Sequence, residues 1–82
     1  MNHSFQVMSD TIQLDAKGMR CPRPIIELAK ARRKAGEGTI IEIVADDLAF
    51  ESDVTAWCET TGNPLIELTR TGDEVFAKIE IK

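Results

Sequence analysis

Cys21 stands in the run Met19-Arg20-Cys21-Pro22-Arg23-Pro24, directly before the helical pattern IIELAKARRKA. Proline is tolerated in the first turn of a helix because the N–H it lacks has no intrahelical partner there. Two prolines at this spacing mark a helix start and put Cys21 near its N-cap. A cysteine there feels the positive end of the helix dipole, which favours thiolate over thiol. Arg20 and Arg23 flank it and add charge of the same sign. The prolines leave Arg23 and Ile25 as N–H donors of the first turn and, by fixing φ, fix the direction in which the sulfur leaves the chain. The plainer alternative is a small buried residue at a strand-to-helix corner; two arginines and the Pro-x-Pro spacing weigh against it.

The remaining residues narrow the chemistry. The single histidine, His3, sits in a polar opening segment without a base or ligand partner and reads as solvated. A Cys–His dyad is therefore unsupported. There is no glycine-rich phosphate loop, metal-ligand cluster or cofactor fingerprint, so neither a cofactor nor a metal is expected. A lone activated sulfur suits sulfur exchange, which needs a thiolate and a leaving group rather than a proton shuttle. Cys58, 37 positions further on, shares a helical stripe with Val54 and Trp57 and reads as core. A resolving role with Cys21 would need Cα atoms within about 7 Å. Asp46 and Asp47 offer two carboxylates for an acid/base pair or a magnesium site. Acids at a strand-to-helix junction read better as caps on free N–H groups.

The elements that must position Cys21 follow from periodicity. Residues 1–10 read as a frayed tail. Thr11–Asp15 alternates Ile12 and Leu14 inward as a short strand, and Ala16-Lys17-Gly18 is a turn in which Gly18 takes a positive φ. The first helix carries Ile25, Leu28, Ala29 and Arg32 on one stripe, the last able to bury its stem and expose its head, has Arg23, Glu27, Lys30 and Lys34 outside, and stops at Gly36-Glu37-Gly38. Thr39–Ala45 is a β-branched strand with Ile41, Ile43 and Ala45 on one face. A second helix runs from about Leu48 to Thr61, with Phe50, Val54, Trp57, Cys58 and Thr61 at helical spacing. Strands over Leu65–Thr69 and Glu74–Ile81 flank a Gly72-Asp73 hairpin turn, and Val75, Ala77, Ile79 and Ile81 share a face. Ile40, Val44 and Phe76 point the other way. The order β-α-β-α-β-β predicts an α+β fold: a two-layer sandwich of a mixed four-stranded sheet with two helices on one face.

Composition sets the outer limits. Eighty-two residues, 43% hydrophobic and 29% charged, fit one folded domain over residues 11–82. No apolar run approaches the ~20 residues of a membrane helix. The opening MNHSFQVMSD lacks basic and apolar signal regions, so a cytoplasmic location with reduced thiols is expected. Two distant cysteines make neither a disulfide scaffold nor a zinc ribbon. The net charge of −4 hides an asymmetry: seven bases against one acid lie within residues 17–34. That segment either steers an acidic partner or is a solvated helix face.

The run LDAKGMRCPRP, the VADD closing the second strand and a cysteine late in the second helix resemble the TusA/SirA-type sulfur carriers, over about Leu14 to Ile81. The position between the prolines, often acidic in that family's best-known members, is Arg23 here. The resemblance implies a βαβαββ two-layer sandwich and a persulfide on Cys21. A cysteine desulfurase or rhodanese-like enzyme would load it, and a downstream protein thiol would take the sulfur for tRNA 2-thiolation or sulfur oxidation. Pro22 and Pro24 are then expected to orient the sulfur, and Arg20, Arg23 and Lys17 to stabilise its anion or guide docking. Two rival classes remain at this level. One is a nucleic-acid-binding or regulatory module using the basic first helix, although no aromatic platform interleaves those bases and direct nucleic-acid binding is not expected. The other is a redox switch joining Cys21 and Cys58.

Overall fold

The computed structural model describes residues 11–82. The expected tail, with His3, lies outside the described residues. Strand β1 (Thr11–Ala16) leads to helix α1 (Arg23–Lys34), strand β2 (Ile40–Ala45), helix α2 (Phe50–Thr61) and the hairpin of β3 (Leu65–Thr71) and β4 (Glu74–Glu80). The sheet order is β1-β2-β4-β3. β1 pairs parallel to β2, from Thr11 opposite Ile40 to Ala16 opposite Ala45. β4 lies antiparallel to both β2 and β3. This is the mixed-sheet α+β architecture that the alternation predicts. Gly72 takes a φ of 61° in the hairpin turn, a conformation that L side chains rarely adopt.

The core forms where the strand and helix periods meet. Ala16, Ile41, Ile43, Ala45, Val75, Ala77, Ile79 and Ile81 are buried, as alternation requires, and Phe50, Val54 and Cys58 close over them from α2. Trp57 is half-buried against this core. Ile40, Val44 and Phe76 lie on the opposite sheet face and are only partly covered; Val44 and Phe76 are cross-strand neighbours.

Two expectations need correction. α1 buries Pro24 and Ala31 besides the expected Leu28, whereas Ala29 is only partly buried; Ile25 packs against the core and Arg32 is partly buried, as its stripe indicates. The helix begins on its own second proline, whose ring packs inward and turns the buried stripe toward Ala31. α2 begins at Phe50 rather than Leu48, which is 83% exposed in the preceding turn. Apolar character alone draws a helix boundary too early when the side chain has no core to enter.

Leu28 has no solvent exposure and anchors the helix that carries Cys21. Leu28→Ala is expected to cost about 2–5 kcal/mol of folding stability, measured by urea denaturation.

Candidate functional site

Parallel pairing sends β1 and β2 out of the sheet at the same end. The loop bearing Cys21 and the loop bearing Asp46 and Asp47 therefore lie side by side, each leading into a helix. A single bond ties them: the Gly18 N–H donates to Asp46 Oδ1 at 2.9 Å. Gly18, with φ 85°, turns the chain in a conformation open to glycine, and the Met19 N–H donates to the Ala16 carbonyl at 3.1 Å. Asp46 is thus an acceptor for the neighbouring loop and not a helix cap. Asp47 does not cap by its side chain either: the N-cap of α2 is Ala49, without a side-chain bond. The Asp47 backbone carbonyl accepts the Phe50 N–H at 3.0 Å, and its Oδ2 is buried without a hydrogen-bond partner. Of the two expected caps, Asp46 bonds across to the neighbouring loop, and the tight turn of Leu48-Ala49 starts α2 through the Asp47 backbone instead.

Cys21 is exposed, as a reacting thiol must be, and its peptide bond to Pro22 is cis. Pro22 is the exposed N-cap of α1. The first turn differs from expectation. Pro22 and Pro24 have no N–H, the Arg23 N–H donates to the Arg20 carbonyl at 2.8 Å, and the Ile25 N–H donates to the Pro22 carbonyl at 3.1 Å. No amide from Pro22 to Ile25 remains for an anion, so the positive end of α1 has little to offer a thiolate.

The neighbours of the sulfur act in the same direction. The Asp53 carboxylate is the main influence that raises the Cys21 thiol above its ordinary value. Slight burial and the negative charges of Asp53 and Asp47 add to it. The expected lowering of the Cys21 thiol by the helix dipole is not what its surroundings favour: they raise it.

The basic residues divide into separate groups. Lys17 Nζ lies 4.0 Å from Glu74 Oε2, on β4, and both side chains are largely exposed. Arg20 and Arg23 are exposed beside Cys21. Arg32, Arg33 and Lys34 occupy the last turn of α1, at its far end from Cys21, where cations complement the helix dipole. Cys58 is buried, and burial pushes its thiol up to about 11. It stays a core residue, as its stripe indicates.

Asp53 is the residue that the sequence reading missed. Its signal was faint: an acid in the first turn of a helix is ordinary, and nothing local links it to a cysteine 32 positions earlier.

Fold and site together define a small α+β protein that offers one thiol to solvent at a helix start. A family model described as sulfurtransferase TusA matches residues 12–82, and the chain belongs to that family. Over 60 residues it is 43% identical to YrkI of Bacillus subtilis, named as a candidate sulfur carrier protein, covering 73% of this chain and 80% of YrkI. A candidate sulfur carrier protein of Aquifex aeolicus is 30% identical over 67 residues, which cover 82% of this chain. That relative is longer, and the chain spans 34% of its length. The SirA-like protein of Desulfitobacterium hafniense has the same fold, with a TM-score of 0.75 at 25% identity, covering 84% of this chain and 95% of its own. Sulfur transfer is the activity class that goes with this family.

Asp46→Ala removes the acceptor for Gly18. The expected outcome is faster amide exchange at Gly18, measured by NMR, and a stability loss of about 0.5–1.5 kcal/mol.

Proposed function

We propose that this chain is a sulfur carrier that accepts sulfane sulfur as a persulfide on Cys21 and delivers it to the thiol of an acceptor protein. The observation that carries the reading is the contrast between the two sulfurs of a TusA-family chain: Cys21 is open to solvent and Cys58 is sealed in the core. The donor is a protein persulfide, of the kind formed by a cysteine desulfurase or a rhodanese-like enzyme. The acceptor serves either tRNA 2-thiolation or a sulfur-oxidation relay. Such a protein is more a carrier than a stand-alone catalyst.

Loading is an exchange at sulfur. Cys21 loses its proton, and its Sγ attacks the terminal sulfur of the donor persulfide. The donor S–S bond breaks as the new bond to Cys21 forms. The donor cysteine leaves with the electron pair and takes up a proton. Delivery repeats the exchange with the acceptor thiolate as nucleophile, so neither step needs an outside oxidant or reductant. Pro22 and Pro24 hold the direction of the sulfur by fixing the backbone on either side of Arg23. Arg20 and Arg23, exposed beside it, guide an acidic donor surface.

Incubation with a cysteine desulfurase and cysteine is expected to add one sulfur to the intact mass. Reductant removes the added sulfur, and Cys21→Ser does not acquire it. Loading that persists in Cys21→Ser and disappears in Cys58→Ser would overturn the assignment. Arg23→Glu is expected to change the loading rate while altering stability by under about 1 kcal/mol, because exposed charges contribute little to folding. Rates unchanged with every donor would remove Arg23 from the docking surface.

A further inference from the structure

We propose that the outer edge of β1, with the groove between it and α1, is a docking site for an extended acidic segment of a partner protein, which joins the sheet as an added strand. This surface lies apart from the sulfur, and the proposal does not depend on how Cys21 is used.

The sheet order β1-β2-β4-β3 leaves two edges, and the chain treats them differently. An edge strand turns alternate N–H and C=O groups away from its one neighbour, where another chain can pair with them. The β3 edge is guarded: Pro64 directly precedes the strand, the register shifts between Leu65 and Glu67, and Glu67 and Arg70 are exposed. Arg70 is further held to Glu51 of α2 at 3.0 Å. β1 has none of these devices. Its pairing with β2 runs without a shift from Thr11 to Ala16, and its one charged residue, Asp15, accepts the Lys17 N–H at 3.0 Å. Among the described residues, no strand pairs with its outer side.

A groove of about 370 Å³ runs beside that edge. Ile12, Leu14 and Ala31 give it apolar surface, and Glu27, Lys30 and Lys34 line it from α1. Ile12 and Leu14 pack against the core yet are only partly buried, which leaves apolar surface for a further strand to cover. Side chains alternate across a strand, so an added strand lays every second side chain into the groove. Backbone pairing then gives affinity, and the groove gives selectivity.

Charge selects the occupant. Lys30 Nζ lies 3.5 Å from Glu27 Oε2, whereas Lys34, exposed in the last turn of α1, has no ion pair among the described residues. Two lysines against one glutamate leave this flank positive. A second copy of the chain, paired edge to edge about a two-fold axis, would bring the same positive flank to both sides of the seam. A partner with a carboxylate facing the groove meets opposite charge instead. The segment that fits has apolar side chains at alternate positions and an acid placed beside Lys34.

The test is an amide NMR titration of the full chain with a capped seven-residue peptide in which threonine and valine alternate between two terminal glutamates. Shifts are expected in β1 and at Lys30, Ala31 and Lys34, with β3 unmoved. The same peptide with lysine at both ends is expected to bind several-fold more weakly, and Lys34→Glu to reverse that preference. Equal binding of the two peptides, or shifts that spare β1, overturns the proposal. That comparison uses the parent chain and so remains decisive even if Lys34→Glu fails to fold. Dimerisation in sedimentation velocity, with β1 amides protected from exchange in the dimer, assigns the edge to a second copy. Protection of every β1 amide in the dilute monomer assigns it to residues 1–10 of the chain itself. Either result overturns the proposal. No readout involves Cys21, so failure here and failure of sulfur loading are told apart.

Discussion

The parallel pairing of β1 with β2 is the constraint on which the rest of this molecule depends. Parallel neighbours finish at the same end of a sheet, so the turns that follow them must share space there. In this chain the last register pair is Ala16 opposite Ala45, both buried, and their small side chains let the two turns come together. Gly18 and Asp46 then close the gap with a hydrogen bond. Slipping β1 by one residue would turn Ile12 and Leu14 outward and destroy that meeting point at once. A reactive sulfur on one loop and an acid on the next are therefore products of strand pairing, not of either loop alone.

The electrostatics of the site follow from how that junction satisfies its backbone. A helix start is usually an anion site because its first amides are unpaired. Here two prolines delete amides and a tight turn at Arg20–Arg23 uses another. The dipole argument for an ionised Cys21 fails at the level of individual N–H groups, although the helix itself is where the sequence puts it. The negative charge of Asp53 acts in the same direction and raises the Cys21 thiol.

What was legible in the sequence was whatever is encoded locally. Alternation in Ile41, Ile43 and Ala45 and in Val75, Ala77 and Ile79 marked the buried sheet face directly, because a two-residue period leaves no other reading. The prolines marked the start of α1, and the stripe through Val54 and Cys58 marked the inner face of α2. Strand order was not legible, and with it went the partners of the site. Asp46 meets Gly18 across 28 positions of chain, and Asp53 raises the Cys21 thiol from beyond two intervening elements. Both look like ordinary helix-start acids until β1 and β2 are set side by side. Composition told the sign of each neighbour but not which charges share a corner: the seven bases of residues 17–34 are close to Cys21 in sequence, while the acids are closer in effect.

For a sulfur carrier, an unfriendly environment for anionic sulfur is consistent with the task. A carrier that cradled its cargo with amides and cations would lower the free energy of the loaded state and slow its discharge. At the corner described here, the negative charges of Asp53 and Asp47 disfavour an anion at the Cys21 Sγ. The direction of exchange is then set by the partner's leaving group and by its thiolate fraction. A docked protein that brings positive charge toward Asp47 and Asp53 weakens their repulsion and lowers the cost of deprotonating Cys21.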